Sequence, residues 1–149
     1  MTTAQSSVVR EPVPNRLVGG VVGGLAGGLV FGLLMQAWDM LPMVGALVSH
    51  GNTEAGWVVH LLISALFGGF FGLTAGALIR GAGAAVGFGL LYGLLWWYLG
   101  ALVTMPKWLG MDEMILKLDG NAWRSFFGHL AWGLLLGVGY ALLRKRSRG

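Results

Sequence analysis

Residues 17–38 read LVGGVVGGLAGGLVFGLLMQAW. No charge interrupts the run, and at about 1.5 Å per residue a helix of this length crosses a hydrocarbon core of about 30 Å. Its glycines keep register: Gly20, Gly24, Gly28 and Gly32 stand four apart, with Gly19, Gly23 and Gly27 in the adjoining row. Small residues at that spacing let helix backbones approach closely where lipid supplies no hydrophobic push toward association. A surface two glycines wide can accept more than one neighbour. The run differs from a nucleotide-binding glycine loop, because it joins no strand to a helix and a spanning helix has already used its backbone donors.

Three further runs have the same length and character, at Trp57–Ile79, Gly83–Met105 and Trp123–Leu143. The whole chain of 149 residues is 56% hydrophobic and 11% charged, with mean hydropathy +0.72 and 27 glycines. That charge fraction is under half the usual soluble value, and the polar residues are too few to hide four such helices in a water-soluble domain. Barrel strands would alternate and be about half as long. The expected fold is an all-α integral membrane protein: residues 17–143 form a four-helix domain, 1–16 an exposed arm without the layout of a signal peptide, and 144–149 a basic tail. There is no cysteine, so disulfides and thiolate metal sites are excluded.

Four crossings put the arm, the turn at Arg80 and the tail on one side. That side carries Arg10, Arg16, Arg80, Arg144, Lys145, Arg146 and Arg148 against Glu11 alone. The other side carries Lys107, Lys117 and Arg124 against Asp39, Glu54, Asp112, Glu113 and Asp119. The bias predicts both termini in the cytoplasm of a bacterial cell, with the protein in its inner membrane. The basic tail is then a topology and anionic-lipid anchor, and nucleic acid is not an expected partner. Trp38, Trp57, Trp108 and Trp123 fall at the outer boundary as interface anchors. In the first outer connection, Pro42 should stop the first helix, and Asn52 or Thr53 should cap the second. In the other, Trp108, Met111, Ile115 and Leu118 recur at helical spacing, which predicts a short helix lying on the membrane surface.

The spans also resemble one another. GLVFGLL at Gly28 matches GLLYGLL at Gly89 and Gly93. His60, Ser64, Gly68, Gly72 and Gly76 run at intervals of four, as do His129, Gly133, Gly137 and Ala141. Two tandem hairpins related by a parallel internal repeat are expected, about an axis along the membrane normal.

Polar groups within the spans are few, and His60 and His129 are the ones able to do chemistry. An ionisable side chain in hydrocarbon must face protein or water, and the matched registers put both imidazoles at similar depth below the outer tryptophans. Three uses follow from the residues. The rings could be axial ligands of one b-type haem, with small residues beside them making room for the porphyrin. They could join Asp39, or Glu54 or His50, in a mixed imidazole and carboxylate metal or proton site. Or each ring could satisfy one donor and one acceptor locally, with Gln36, Ser64 or a loop carbonyl, and simply fix the bundle. No hydrolase or kinase signature is present, so no catalytic residue is assigned. The expected function is a non-catalytic accessory or scaffold subunit, surrounded by lipid and packing against copies of itself or other membrane subunits through its glycine faces. A haem-binding electron carrier is the alternative, and a small oligomeric channel or metal- or proton-handling transporter the next.

Overall fold

A computed structural model describes residues 11–146 of the chain. Residues 1–10 of the expected arm and 147–149 of the expected tail lie outside the described residues. The described chain is helical, with no strand. Helix α1 runs Val13–Ala37, a short α2 Leu41–Gly45, and α3 Thr53–Thr74. Helix α4, Ala82–Trp96, continues through a π-helix, Trp97–Thr104, into α5, Met105–Trp108; α6 runs Gly120–Arg146. Four helical stretches are long and apolar enough to cross a membrane: Val13–Ala37, Thr53–Ala77, Ala82–Trp108 and Gly120–Lys145.

Local chemistry sets these ends. Helix α1 starts four residues before the expected boundary, inside the segment read as an arm. Pro12 is its N-cap and Pro14 lies in its first turn, where a missing N–H is no loss. Asn52 caps α3, its side-chain oxygen accepting from Ala55 N at 2.8 Å, and Asp119 does the same for Ala122 N at 2.9 Å as α6 begins. The third long stretch was expected to end at Met105, ahead of Pro106, but it runs on to Trp108. Proline has no N–H to continue the helix ladder at this point. Leu116 N donates to Leu102 O, in the turn before Pro106, at 2.9 Å.

That same bond replaces the expected surface helix. The chain after Trp108 turns at Gly110 (φ 69°), makes a single 3-10 turn at Asp112–Met114 and reverses at Leu116 (φ 57°) to reach Leu102. Trp108, Met111, Ile115 and Leu118 therefore share no helix. The first connection is short helix too, and its apolar middle dips inward: Leu41 is fully buried and Val44 nearly so. Trp108 Nε1 donates to Leu47 O at 3.1 Å and ties the two connections together.

Glycine decides which helices touch. The row Gly20, Gly24 and Gly28 faces α3, where a Cβ would strike Gly68, Gly72 or Ser64. The row Gly19, Gly23 and Gly27 faces α6, against Tyr140, Leu136 and Trp132. Gly89 and Gly93 meet α6 in the same manner, at Gly133, Gly137 and the His129 backbone. The order of neighbours is α3, α1, α6, α4. Helices α3 and α4, although joined by a tight turn, meet through side chains instead: Tyr92 Oη donates to Phe67 O at 3.0 Å, and the Phe67 and Trp96 rings lie 3.8 Å apart.

At the end of the bundle that carries the termini, Arg144 is packed between segments. Its Nη1 donates to Ile79 O, and its Nε lies 3.2 Å from Glu11 Oε2 without hydrogen-bond alignment. Both side chains are largely shielded, 13% and 5% exposed. Removing the acid leaves a shielded cation without its counter-charge. Glu11→Gln is expected to destabilise the bundle by about 1 kcal/mol, the pair being imperfectly aligned, with a lower melting midpoint in detergent. A midpoint equal to wild type would show that Arg144 is held by Ile79 alone.

Candidate functional site: a cavity between the second and third spans

Where α3 and the third long stretch part company, at the end opposite the termini, they line, with α1 and α6, a partly open cavity of about 480 Å³. Bulk keeps the two apart. No glycine row runs down the facing sides, and Phe67, Tyr92 and Trp96 occupy the places where backbones would otherwise meet. The π-helix contributes the wall at Gly100, Ala101, Leu102 and Thr104. Such wider turns recur at functional sites. Trp97 Nε1 donates to Ala122 O at 3.0 Å and anchors this wall to α6. The two connections form the roof.

The lining is largely carbon and sulfur. Met35, Met40, Met43, Met105, Met111 and Met114 all contribute, which is every methionine of the chain apart from Met1. Methionine is unbranched and polarizable, and suits a wall that must adapt to an irregular guest. Their convergence was missed in the sequence because they come from separate segments with no shared period. A signal was present nonetheless: all six lie in or beside the two long connections.

His60 and His129 both line this cavity, from α3 and α6. His60 Nε2 lies 2.8 Å from Gly28 O, a carbonyl of α1, while Gln36 pairs instead with Trp57 Nε1 at 2.7 Å. His129 Nδ1 lies 2.8 Å from Ser125 O on its own helix. Carbonyl oxygens only accept, so these nitrogens carry the hydrogens, and in the neutral rings His60 Nδ1 and His129 Nε2 hold the lone pairs. Phe31 joins the two histidines, its ring centroid 5.3 Å from one imidazole and 4.9 Å from the other in edge-on contacts. Phe31 has room because Gly128 stands opposite; a Cβ there would run into the phenylalanine ring.

This arrangement does not fit haem. Two axial imidazoles must face one another across a flat slot, whereas these two rest against the Phe31 ring, and His60 Nε2 is committed to Gly28 O. It does not gather the expected metal ligands either. Asp39 is exposed in the turn after α1 (φ 55°), His50 folds back on Val48 O at 2.8 Å, and no three acidic or imidazole side chains come together among the described residues.

The helix-packing glycines fall elsewhere. Gly20, Gly24, Gly28, Gly32, Gly68, Gly72, Gly76, Gly89, Gly93, Gly133 and Gly137 are all buried within the one chain. Gly32 is covered by the Trp57 indole and Gly76 by Tyr140. The fold and site thus define an all-helical chain with four membrane-length apolar helices and one methionine-lined cavity. Compared with protein-family models, curated proteins and solved structures, it matches none.

Proposed function

We propose that this is a non-catalytic, multi-pass membrane protein that holds a small nonpolar molecule in the cavity of its outer half. The carrying observation is the cavity itself: its size lies in the range of small-molecule sites, and its lining is largely apolar. Arg16, Arg80, Arg144 and Lys145 cluster at the terminal end, which supports cytoplasmic termini in a bacterial inner membrane and puts the cavity in the outer leaflet. Two tandem hairpins of common origin remain part of the reading. Gly24 closes on Ser64 and Gly68 as Gly89 closes on Gly133 and Gly137. That correspondence lies one helical turn from the alignment that equates Gly28 with Gly89, so the two pairs of helices share a packing pattern at a shifted register.

Gly100 offers the direct test. A Cβ there meets only Trp96, at 3.8 Å, so a larger side chain would enter the cavity rather than strike a helix. Wild-type protein, purified mildly and extracted for mass spectrometry, should release one nonpolar molecule per chain. Gly100→Phe should retain at least about tenfold less, the factor that 1.4 kcal/mol of lost affinity produces. Equal retention by both proteins would remove the cavity from the function.

A second reading, the accessory subunit, is favoured by α4. Only 17% of a membrane-length part of Ala82–Trp108, the stretch that α4 begins, is buried, against 33–44% for the other three long stretches. Gly83 and Gly87 have nothing within 4 Å, and Leu91 and Leu95 are exposed beside them. A second copy or another membrane subunit would cover that face, with lipid filling the remainder. Native mass spectrometry from mild detergent should find the chain in a complex; a monomer throughout would eliminate this reading.

A further inference from the structure

Resting on the cavity reading above, we propose that the occupant is a membrane phospholipid, one acyl chain of which enters sideways from the bilayer through a window between α3 and the third long stretch, with its phosphate beside Lys117. The two edges of the window are regular. Val59, Ile63 and Phe67 line the cavity from α3 at intervals of four, and Trp96, Gly100 and Thr104 do so from the third stretch. The Phe67 and Trp96 rings, 3.8 Å apart, close the seam on the inner side, and the bond from Trp108 Nε1 to Leu47 O ties the connections over the outer side. Between these two ties no hydrogen bond or ring contact crosses the seam among the described residues. Ile63 and Thr104 are exposed although they line the cavity, so it is open at their level. Leu62, Leu66 and Leu99, beside the edges but outside the lining, are exposed as well, which makes this a lipid-facing flank of the bundle. Ile63 lies six residues inward of Trp57 and Thr104 four inward of Trp108, roughly 6–9 Å below those interface tryptophans at helical rise.

What borders a window at that depth is acyl chain. A flexible chain suits walls that include Met35, Met105 and Met114. The polar groups of the lining sort by depth. On the inner side His60 bonds Gly28 O, Ser125 Oγ lies 3.2 Å from His129 Nδ1, Ser64 adds one hydroxyl, and Trp96 Nε1 is shielded beyond a guest's reach. At the outer end Asp119 caps Ala122 N, and Asn121 Oδ1 accepts from Arg124. That leaves Lys117. Its Nζ reaches Met114 Sδ at 3.8 Å, and no carboxylate lies within ion-pair distance of it among the described residues. An exposed ammonium at the outer end of a largely apolar cavity complements a phosphate held at the membrane surface by the chain below it.

The test uses full-length protein in nanodiscs containing a phosphatidylcholine with a diazirine midway along one acyl chain. After irradiation, adducts are located by peptide mass spectrometry. Phe31 and Met35 line the cavity and are 4% and 3% exposed, so a chain that stays outside the bundle cannot reach them. Wild type is expected to carry adducts at both, as well as at lipid-facing Leu66. In the doubly substituted Ile63→Trp, Thr104→Trp protein, labelling of Phe31 and Met35 should fall about tenfold while Leu66 is unchanged. Lys117→Gln, a surface change that leaves the fold alone, should lower it about threefold, in keeping with the small worth of an exposed ion pair. Adducts confined to lipid-facing residues overturn the inference, and so does cavity labelling that survives the double substitution. Labelling unchanged by Lys117→Gln, or obtained from a diazirine fatty acid and not from the phospholipid, overturns the headgroup assignment. Chain-to-chain adducts at Ile63 and Thr104 would give the window to a second copy instead. If Phe31 and Met35 stay unlabelled while the purified protein still releases a nonpolar molecule, this inference fails and the cavity reading stands; if there is neither guest nor label, both fail. The wild-type pattern decides the matter even if the double variant does not fold.

Discussion

Gly68→Ile is expected to prevent the bundle from assembling, whereas Gly87→Ile leaves it as stable as wild type. Both glycines lie in long apolar helices, and both substitutions add the same side chain. At Gly68 a Cβ would meet the Gly20 carbonyl oxygen and the Gly24 Cα, backbone on backbone with no flexible side chain to give way. The helices must separate, and every contact along the α1–α3 seam loosens together. Overpacking costs about 1–3 kcal/mol where side chains can adjust, and here none can, so a loss at or above about 3 kcal/mol is expected. Lipid offers no compensating hydrophobic drive to hold the helices together. At Gly87 nothing lies within 4 Å, and isoleucine projects outward from α4. Melting monitored by tryptophan fluorescence in detergent would measure both. Similar midpoints for the two variants would mean that the α1–α3 seam is not held by close glycine contact.

Trp132→Ala comes next in size. The side chain is 5% exposed and serves three neighbours at once. Its Nε1 donates to Gly24 O at 3.1 Å across the α1–α6 seam, its ring stacks on Tyr92 of α4 with centroids 5.8 Å apart, and Gly27 is bare to receive it. Truncation leaves a void at the meeting point of three helices, for which large aromatic deletions set a cost of about 3 kcal/mol. Trp132→Phe retains most of the ring and forfeits the hydrogen bond, about 1 kcal/mol. The expected order of melting midpoints is wild type, then phenylalanine, then alanine. The alanine variant should also retain less of any nonpolar guest, because part of the cavity wall has gone. An alanine variant that melts with wild type would show that the seam between α1 and α6 is carried by glycine contacts without the indole.

Much of the architecture is legible in residues 17–38. An uncharged run of that length specifies a membrane-length helix, and two glycine rows specify two partners, since a helix row is a direction in space. The partners proved to be α3 and α6. The similar height of His60 and His129 along the bundle was legible too, because helical rise converts sequence position to height, and both rings reach Phe31. Their orientation was not. A ring's neighbours depend on helix rotation and on residues far away in sequence, here Gly28 O for one imidazole and Ser125 O for the other.

The second connection shows the same division. The spacing of Trp108, Met111, Ile115 and Leu118 suits a helix locally, yet Leu116 N leaves that pattern to bond Leu102 O. The acceptor that draws it, Leu102 O in the turn before Pro106, lies in another segment. What the sequence by itself determined, then, is the class of fold: four apolar helices, their approximate ends and the faces on which they pack, all of which follow from composition and period along one chain. What only the tertiary structure decided is the cavity. Six methionines and two histidines from separate segments come to line one cavity only where α3 and the third long stretch are held apart by Phe67, Tyr92 and Trp96. A void is a property of the distance between helices, and no single helix encodes it.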